Sequence, residues 1–243
     1  MLKLRDGRQK GFTLVEILIA SVLSLATVMT ITTIYASTTA NLSQQLQMEY
    51  LSDTAHDLLY LMETEIRRSG YWHFDTTQDR LDNNPFQSPE NDIQSATVAA
   101  ETANSCILYA YDIDMDGKVG VGQCATPCAD NTDSDNVEQF GFRLKRKNLQ
   151  IRYAGTSFSC NSGRWQSLTD KQLSILSFRA TIHEHCTNLD DRDAACNDSN
   201  NRQFRRLVSL QITAQLKNSS LPSITVNRTF AVRNDKLEGQ TDD

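Results

Sequence analysis

No glycine and no proline occurs between Phe12 and Ser69. An uninterrupted stretch of that length, free of both residues that end helices, restricts the front of this chain to one long α-helix. Its first part, residues 12–36, is apolar and long enough for a bilayer, which needs roughly 20 such residues. One charge interrupts it, Glu16. A carboxylate at that depth is costly as a lone ion, so it requires a partner. The second part changes character. Leu42, Leu46, Leu51, Ala55, Leu58, Leu59, Met62 and Ile66 recur every three to five residues with polar residues between. This amphipathic stripe predicts packing beneath a domain. Thr30, Thr32, Thr33, Thr38 and Thr39 lower helix propensity where the two parts meet, which predicts a local softening. Arg67, Arg68 and Gly70 in "RRSGYW" predict the stop, with cations at the negative end of the helix and a left-handed glycine cap.

The charges fix a direction. The chain carries a net −6, but Lys3, Arg5, Arg8 and Lys10 against Asp6 make the first eleven residues +3 and leave −9 on the rest. Basic residues before the apolar run place the N-terminus in the cytoplasm and the remainder outside. An acidic body argues against a broad nucleic-acid surface, leaving only the basic run from Arg143 to Lys147 for that purpose. The six cysteines, Cys106, Cys124, Cys128, Cys160, Cys186 and Cys196, all follow the apolar run, as expected of disulfides in an oxidising compartment. Six cysteines allow 15 connectivities. Proximity alone suggests Cys124–Cys128 and Cys186–Cys196, leaving Cys106–Cys160.

Beyond the helix, residues 73–104 are polar and read as a loop region. Strand patterns then follow in "CILYAYD", in "FGFRLKRKNLQIRYA" as a hairpin about Lys147–Asn148, in "LSILSFRATIH", in "RRLVSLQITAQL" and in "SITVNRTFAVRN". About six strands after one helix predict an α+β fold with the helix on one face of an antiparallel sheet.

Two clusters suggest chemistry. In "DIDMDGKVGVGQ", Asp112, Asp114 and Asp116 precede Gly117 at the spacing of a calcium loop, with Lys118 placed to offer a carbonyl. Gln123 stands where a bidentate Glu is expected. Asp130, Asp133, Asp135 and Glu138 are the candidates to complete the set, and a plain solvated acidic turn is the competing reading. "HEHC", His183 to Cys186, lacks the spacing that sets two imidazoles on one helix face and reads as a strand end, with a surface role favoured over metal or nucleophile. No catalytic motif is found, and no cofactor other than calcium is suggested.

Gly11, Phe12 and Glu16 in "GFTLVE", behind a basic leader, resemble the type IV prepilin signature. That resemblance implies cleavage by a prepilin peptidase between Gly11 and Phe12, methylation of the new Phe12 amine, and a pairing of Glu16 with that amine that sets the register of subunits in a bundle. "EIRRSGYW", "LTDKQLSILSF" and "RTFAVRN" are similar to the corresponding segments of PilW-type minor pilins. The implied protein is a type IV pilin: a leader (1–11), a membrane and assembly helix (12–36), an amphipathic half (37–70) and a β-rich periplasmic head (71–243). It would be a non-catalytic minor subunit that primes assembly at the pilus tip. Its partners would be the major pilin, other minor pilins, the prepilin peptidase, an inner-membrane assembly platform and a tip adhesin. It would move from the inner membrane to the fibre. The alternatives are a J-type minor pseudopilin of type II secretion and a tip adhesin or DNA-uptake receptor. Related pseudopilins include calcium binders.

Overall fold

The computed structural model describes residues 11–74, 82–120, 137–197 and 201–239. One helix, α1 (Leu14–Ile66), runs for 53 residues without a break. The chain divides into two compact units, Met1–Glu49 and Tyr50–Asp243, and α1 begins in the first and ends in the second.

In the first unit α1 continues unbroken through the threonines that lower helix propensity. Their hydroxyls donate back along the helix: Thr30 to the carbonyl of Thr27 (2.8 Å), Thr32 to Val28 (3.0 Å) and Thr39 to Tyr35 (2.8 Å). Each bond supplies the hydroxyl with an acceptor inside the helix, the condition for a polar side chain to be tolerated in lipid.

In the second unit α1 buries Leu51, Ala55, Leu58, Leu59, Met62 and Ile66. Leu42 and Leu46, the first members of the predicted stripe, are exposed in the first unit. The helix ends where expected. Gly70 has φ +72°, and a Cβ there would lie 2.2 Å from Gln87 Nε2, so both backbone and space demand glycine. Gly70 N–H donates to the Ala110 carbonyl (2.8 Å), tying the helix end to a strand.

That strand belongs to the first of two antiparallel sheets. Its order is β1 (Gln94–Ala96), β2 (Cys106–Ala110), β3 (Gln139–Lys145), β4 (Asn148–Ala154) and β5 (Arg164–Ser167). The second contains β6 (Leu173–Asn188), β7 (Arg202–Leu216) and β8 (Ile224–Ala231), with β9 (Lys236–Glu238) also on β7. A single sheet of about six strands is therefore corrected to two sheets with nine strands among the described residues. The unforeseen strands β1, β5 and β9 have three or four residues each, too few for an alternating pattern to show. β1 and a 3₁₀ turn at Pro85–Gln87 lie within the segment read as loop.

The hairpin turns at Arg146–Lys147, one residue earlier than expected. Both have positive φ, 52° and 63°, and Lys145 pairs with Asn148. This register sets buried Leu144 opposite buried Leu149, and core packing overrides the backbone preference of the turn residues.

The last turns of α1 meet both sheets. Tyr111, just after β2, donates its hydroxyl to Glu65 (3.1 Å), and Arg228 on β8 pairs with Glu63. Arg67 stacks over Phe230 of β8, and Tyr50 Oη donates to Asp170 Oδ2 (2.5 Å) at the entry to β6. Among the described residues two arginines are fully buried. Arg206 pairs with Asp92 and donates to the Asn234 carbonyl (2.7 Å); Arg152 donates to the carbonyls of Gln139 and Ser157. Neither was foreseen, because a buried cation leaves no periodic trace.

Candidate functional site

The start of α1 is a capping box. Thr13 N–H donates to Glu16 Oε2 (2.9 Å), as does the Thr13 hydroxyl (3.0 Å), and Glu16 N–H donates back to Thr13 Oγ1 (3.3 Å). Glu16 thus has a local partner within its own helix start, a role the T-x-x-E spacing encodes. Gly11 precedes the helix with open space around it, and Phe12 is 84% exposed. From Leu14 onward the helix is long and apolar enough to cross a membrane.

The acidic loop lies between β2 and β3. Asp112, Asp114, Asp116 and Glu138 each bring a carboxylate oxygen within 4.8 Å of all the others. Local chemistry builds it. Asp112, buried two residues beyond β2, accepts from the N–H groups of His73, Met115 and Gly117. Asp114 accepts from Asp116 N–H (3.1 Å) and Asp116 from Lys118 N–H (2.8 Å). Gly117 turns the loop with φ +75°, where a Cβ would crowd the His73 carbonyl and Trp72. Glu138, also buried, enters from just before β3 and accepts from Ile113 and Gly120 N–H. Burial pushes the Glu138 carboxyl up to about 7, with Asp114 and Asp112 adding to the rise. Four carboxylates this close repel one another, and a hard dication would relieve that repulsion. Of the residues proposed to complete the set, the structure brings in Glu138. Lys118 engages the loop through its N–H. Gln123, Asp130, Asp133, Asp135, Cys124 and Cys128 lie outside the described residues.

Cys106 is joined to Cys160 and Cys186 to Cys196. "HEHC" lies within the last six residues of β6, with His183 and His185 exposed on one face and Cys186 in a disulfide. The basic run is not a continuous cationic patch either. Arg143 is buried, donating to the Cys160 carbonyl (2.6 Å) and to Gln150 (2.8 Å) over the Trp165 ring, while Lys145 to Lys147 are exposed at the hairpin tip.

The prokaryotic N-terminal methylation motif matches residues 6–33, covering Gly11, Phe12 and Glu16. The family described as prepilin peptidase-dependent protein B matches residues 44–234. No curated protein and no solved structure matches the chain. With a methylation motif at its front, that family match over most of its length, and one long apolar helix followed by antiparallel sheets stapled by disulfides, the chain is a type IV pilin-like minor pilin of the prepilin peptidase-dependent protein B family.

Proposed function

We propose that this protein is a non-catalytic minor subunit of a type IV pilus, trimmed between Gly11 and Phe12, methylated at the Phe12 amine, and placed with other minor pilins at the fibre tip, where it primes assembly. The observation that carries the reading is the methylation motif seated on a capped, uninterrupted apolar helix. Before assembly the helix would hold the chain in the inner membrane, with the first eleven residues cytoplasmic and the sheets periplasmic. In the fibre Glu16 would exchange its Thr13 contacts for the amine of a neighbouring subunit, the major pilin or another minor one. Mass spectrometry of the mature chain tests the first step: it should begin at N-methylated Phe12, and an intact Met1 start would reduce the protein to a tethered periplasmic domain. Deleting the gene tests the system. Loss of twitching with normal exoprotein release supports the pilus; the opposite pattern supports a J-type pseudopilin.

A second reading concerns the acidic loop. The four converging carboxylates, two of them buried, favour calcium held by Asp112, Asp114, Asp116 and Glu138. Calorimetric titration of calcium into the full chain tests it, with the Asp114→Asn/Asp116→Asn variant expected to abolish the heat. A wild-type titration showing no heat would leave the loop a purely structural acidic turn.

A further inference from the structure

We propose that a hollow at one end of the second sheet binds an acidic saccharide, a sugar bearing a carboxylate. The hollow exists because one edge of β7 changes partner there. β8 pairs with that edge as far as Leu207↔Ala231, and Val232 N–H still donates to the Arg206 carbonyl (3.0 Å). β9 then takes over the same edge, with Lys236 opposite Phe204. Arg205 alone lies between Phe204 and Arg206, whereas Arg233, Asn234 and Asp235 lie between Val232 and Lys236. The surplus residues push the crossing segment out of the ladder. Hydrogen bonds hold it there. Asn234 is anchored at the end of α1: its Nδ2 donates to the carbonyls of Arg68 (3.3 Å) and Ser69 (3.1 Å), and its own carbonyl accepts from buried Arg206 (2.7 Å). Arg233 N–H donates to the Arg67 carbonyl (3.1 Å). Arg233 and Asp235, on either side of this anchor, line the hollow.

The opposite wall comes from β6 and β7. Arg206 is buried and Arg205 exposed, so Arg205 and Gln203 share the face turned away from the core. The register sets His185 opposite Arg205 and Thr187 opposite Gln203, and all four line the hollow. Its volume is about 510 Å³, within the range of small-ligand sites. Arg205 and Arg233 form no ion pair among the described residues, in a chain of net charge −6. Their guanidinium forks match a carboxylate. Two guanidiniums against the one lining acid, Asp235, leave a single positive charge, which one sugar carboxylate balances. A phosphate monoester would bring about −1.5 to −2 and exceed it. Asp235 accepts from Gln203 (2.6 Å) and has further lone pairs for sugar hydroxyls, as does the Thr187 hydroxyl. Ala231 and Val232 add a small apolar floor for the C–H face of a ring. An acidic peptide would bring carboxylates without ring hydroxyls and meet repulsion from Asp235. A nucleic-acid strand would find no aromatic side chain in the lining on which to stack a base.

The test titrates the full chain, solubilised in a sugar-free detergent, with trigalacturonate, sialyllactose and a hyaluronan tetrasaccharide, each against its neutral counterpart: galactotriose, lactose and chitotetraose. At least one acidic saccharide should bind at least about tenfold more tightly than its counterpart. Arg205→Gln/Arg233→Gln should erase that preference. Both side chains are exposed, so the Cys186–Cys196 bond and the melting temperature should stay as in the wild type. Asp235→Ala should weaken the preferred saccharide by about tenfold while tightening a tetra-aspartate peptide. No preference for any acidic saccharide, or a preference that survives in the double variant, would overturn the inference. So would wild-type binding of tetra-aspartate or of mannose phosphate as tight as the best saccharide, which would give the hollow to an acidic protein segment or to phosphate. Should the double variant fail to form its disulfide, Asp235→Ala decides alone, and an unchanged saccharide affinity then refutes the site.

Discussion

Glu16 satisfies one demand in the single chain, and under the proposed function it meets a second in the fibre. In the single chain it closes a capping box with Thr13, a pairing whose loss costs about 1 kcal/mol of helix stability. In the proposed assembly its charge is what a new amine at Phe12 would seek. The roles separate because an amide oxygen can accept the Thr13 hydrogen bonds but carries no charge. Glu16→Gln is therefore expected to keep the helix start and to fail in incorporation as Glu16→Ala does, read as the amount of chain recovered in sheared pili. Wild-type recovery of Glu16→Gln would reduce Glu16 to a cap. A different residue-scale demand operates at Arg206, fully buried and paired with Asp92. Removing the acid strands a guanidinium inside the protein, so Asp92→Ala should cost about 3–5 kcal/mol in denaturant melts. A paired replacement, Asp92→Leu/Arg206→Met, should recover much of that loss.

Elements record where sequence patterns and packing agree. α1 was legible nearly to the residue, because absence of glycine and proline followed by Gly70 is a local signal for a local structure. The β3–β4 turn was misplaced by one residue because Asn148 suits a left-handed turn better than Arg146 or Lys147 does. The Leu144–Leu149 pairing is a non-local preference that single-residue chemistry does not announce. Positive φ at two residues with side chains leaves stability to be gained: Arg146→Asn/Lys147→Gly, the residues a two-residue turn of this kind favours, should add about 1 kcal/mol in the same melts. The end of α1 carries a pH dependence. Burial would raise the Glu63 carboxyl, but hydrogen bonds from Arg67 and Arg228 outweigh it and hold it below its ordinary value of 4.5. A depressed carboxylate contributes stability above its unfolded value and loses it as pH falls through the folded one. Wild-type melting temperature should accordingly drop as pH is lowered from about 5 to about 3, and Glu63→Gln should flatten that part of the profile while starting lower at neutral pH.

At the scale of the whole molecule, what the sequence displayed was order along the chain, and what it withheld was assembly across it. The Asp112–Asp116 spacing was visible, yet Glu138 could be offered only as one acid among several, because its arrival depends on the β2–β3 pairing. The hollow lined by His185, Arg205 and Arg233 was invisible for the same reason: the three come together only through the register of three strands. The disulfides act at this scale too. Cys106–Cys160 closes a loop with a sequence separation of 54 and packs with Val98, Leu108 and Trp165, whereas Cys186–Cys196 spans a separation of 10 near the surface. Loop-closure entropy alone ranks the first as worth about 4 kcal/mol and the second about 3 kcal/mol. Loss of the first also removes sulfur from a packed cluster. Cys106→Ala/Cys160→Ala should therefore expose the chain after Tyr50 to proteolysis far more than Cys186→Ala/Cys196→Ala does. The proposed cleavage site, between Gly11 and Phe12, belongs to the other compact unit, Met1–Glu49. Both variants should still be trimmed ahead of Phe12, so immunoblots should show normal processing followed by selective disappearance of the Cys106→Ala/Cys160→Ala product. Equal survival of the two mature chains would mean that the first sheet holds without its staple, and that packing around Tyr109 and Phe142 alone sustains it.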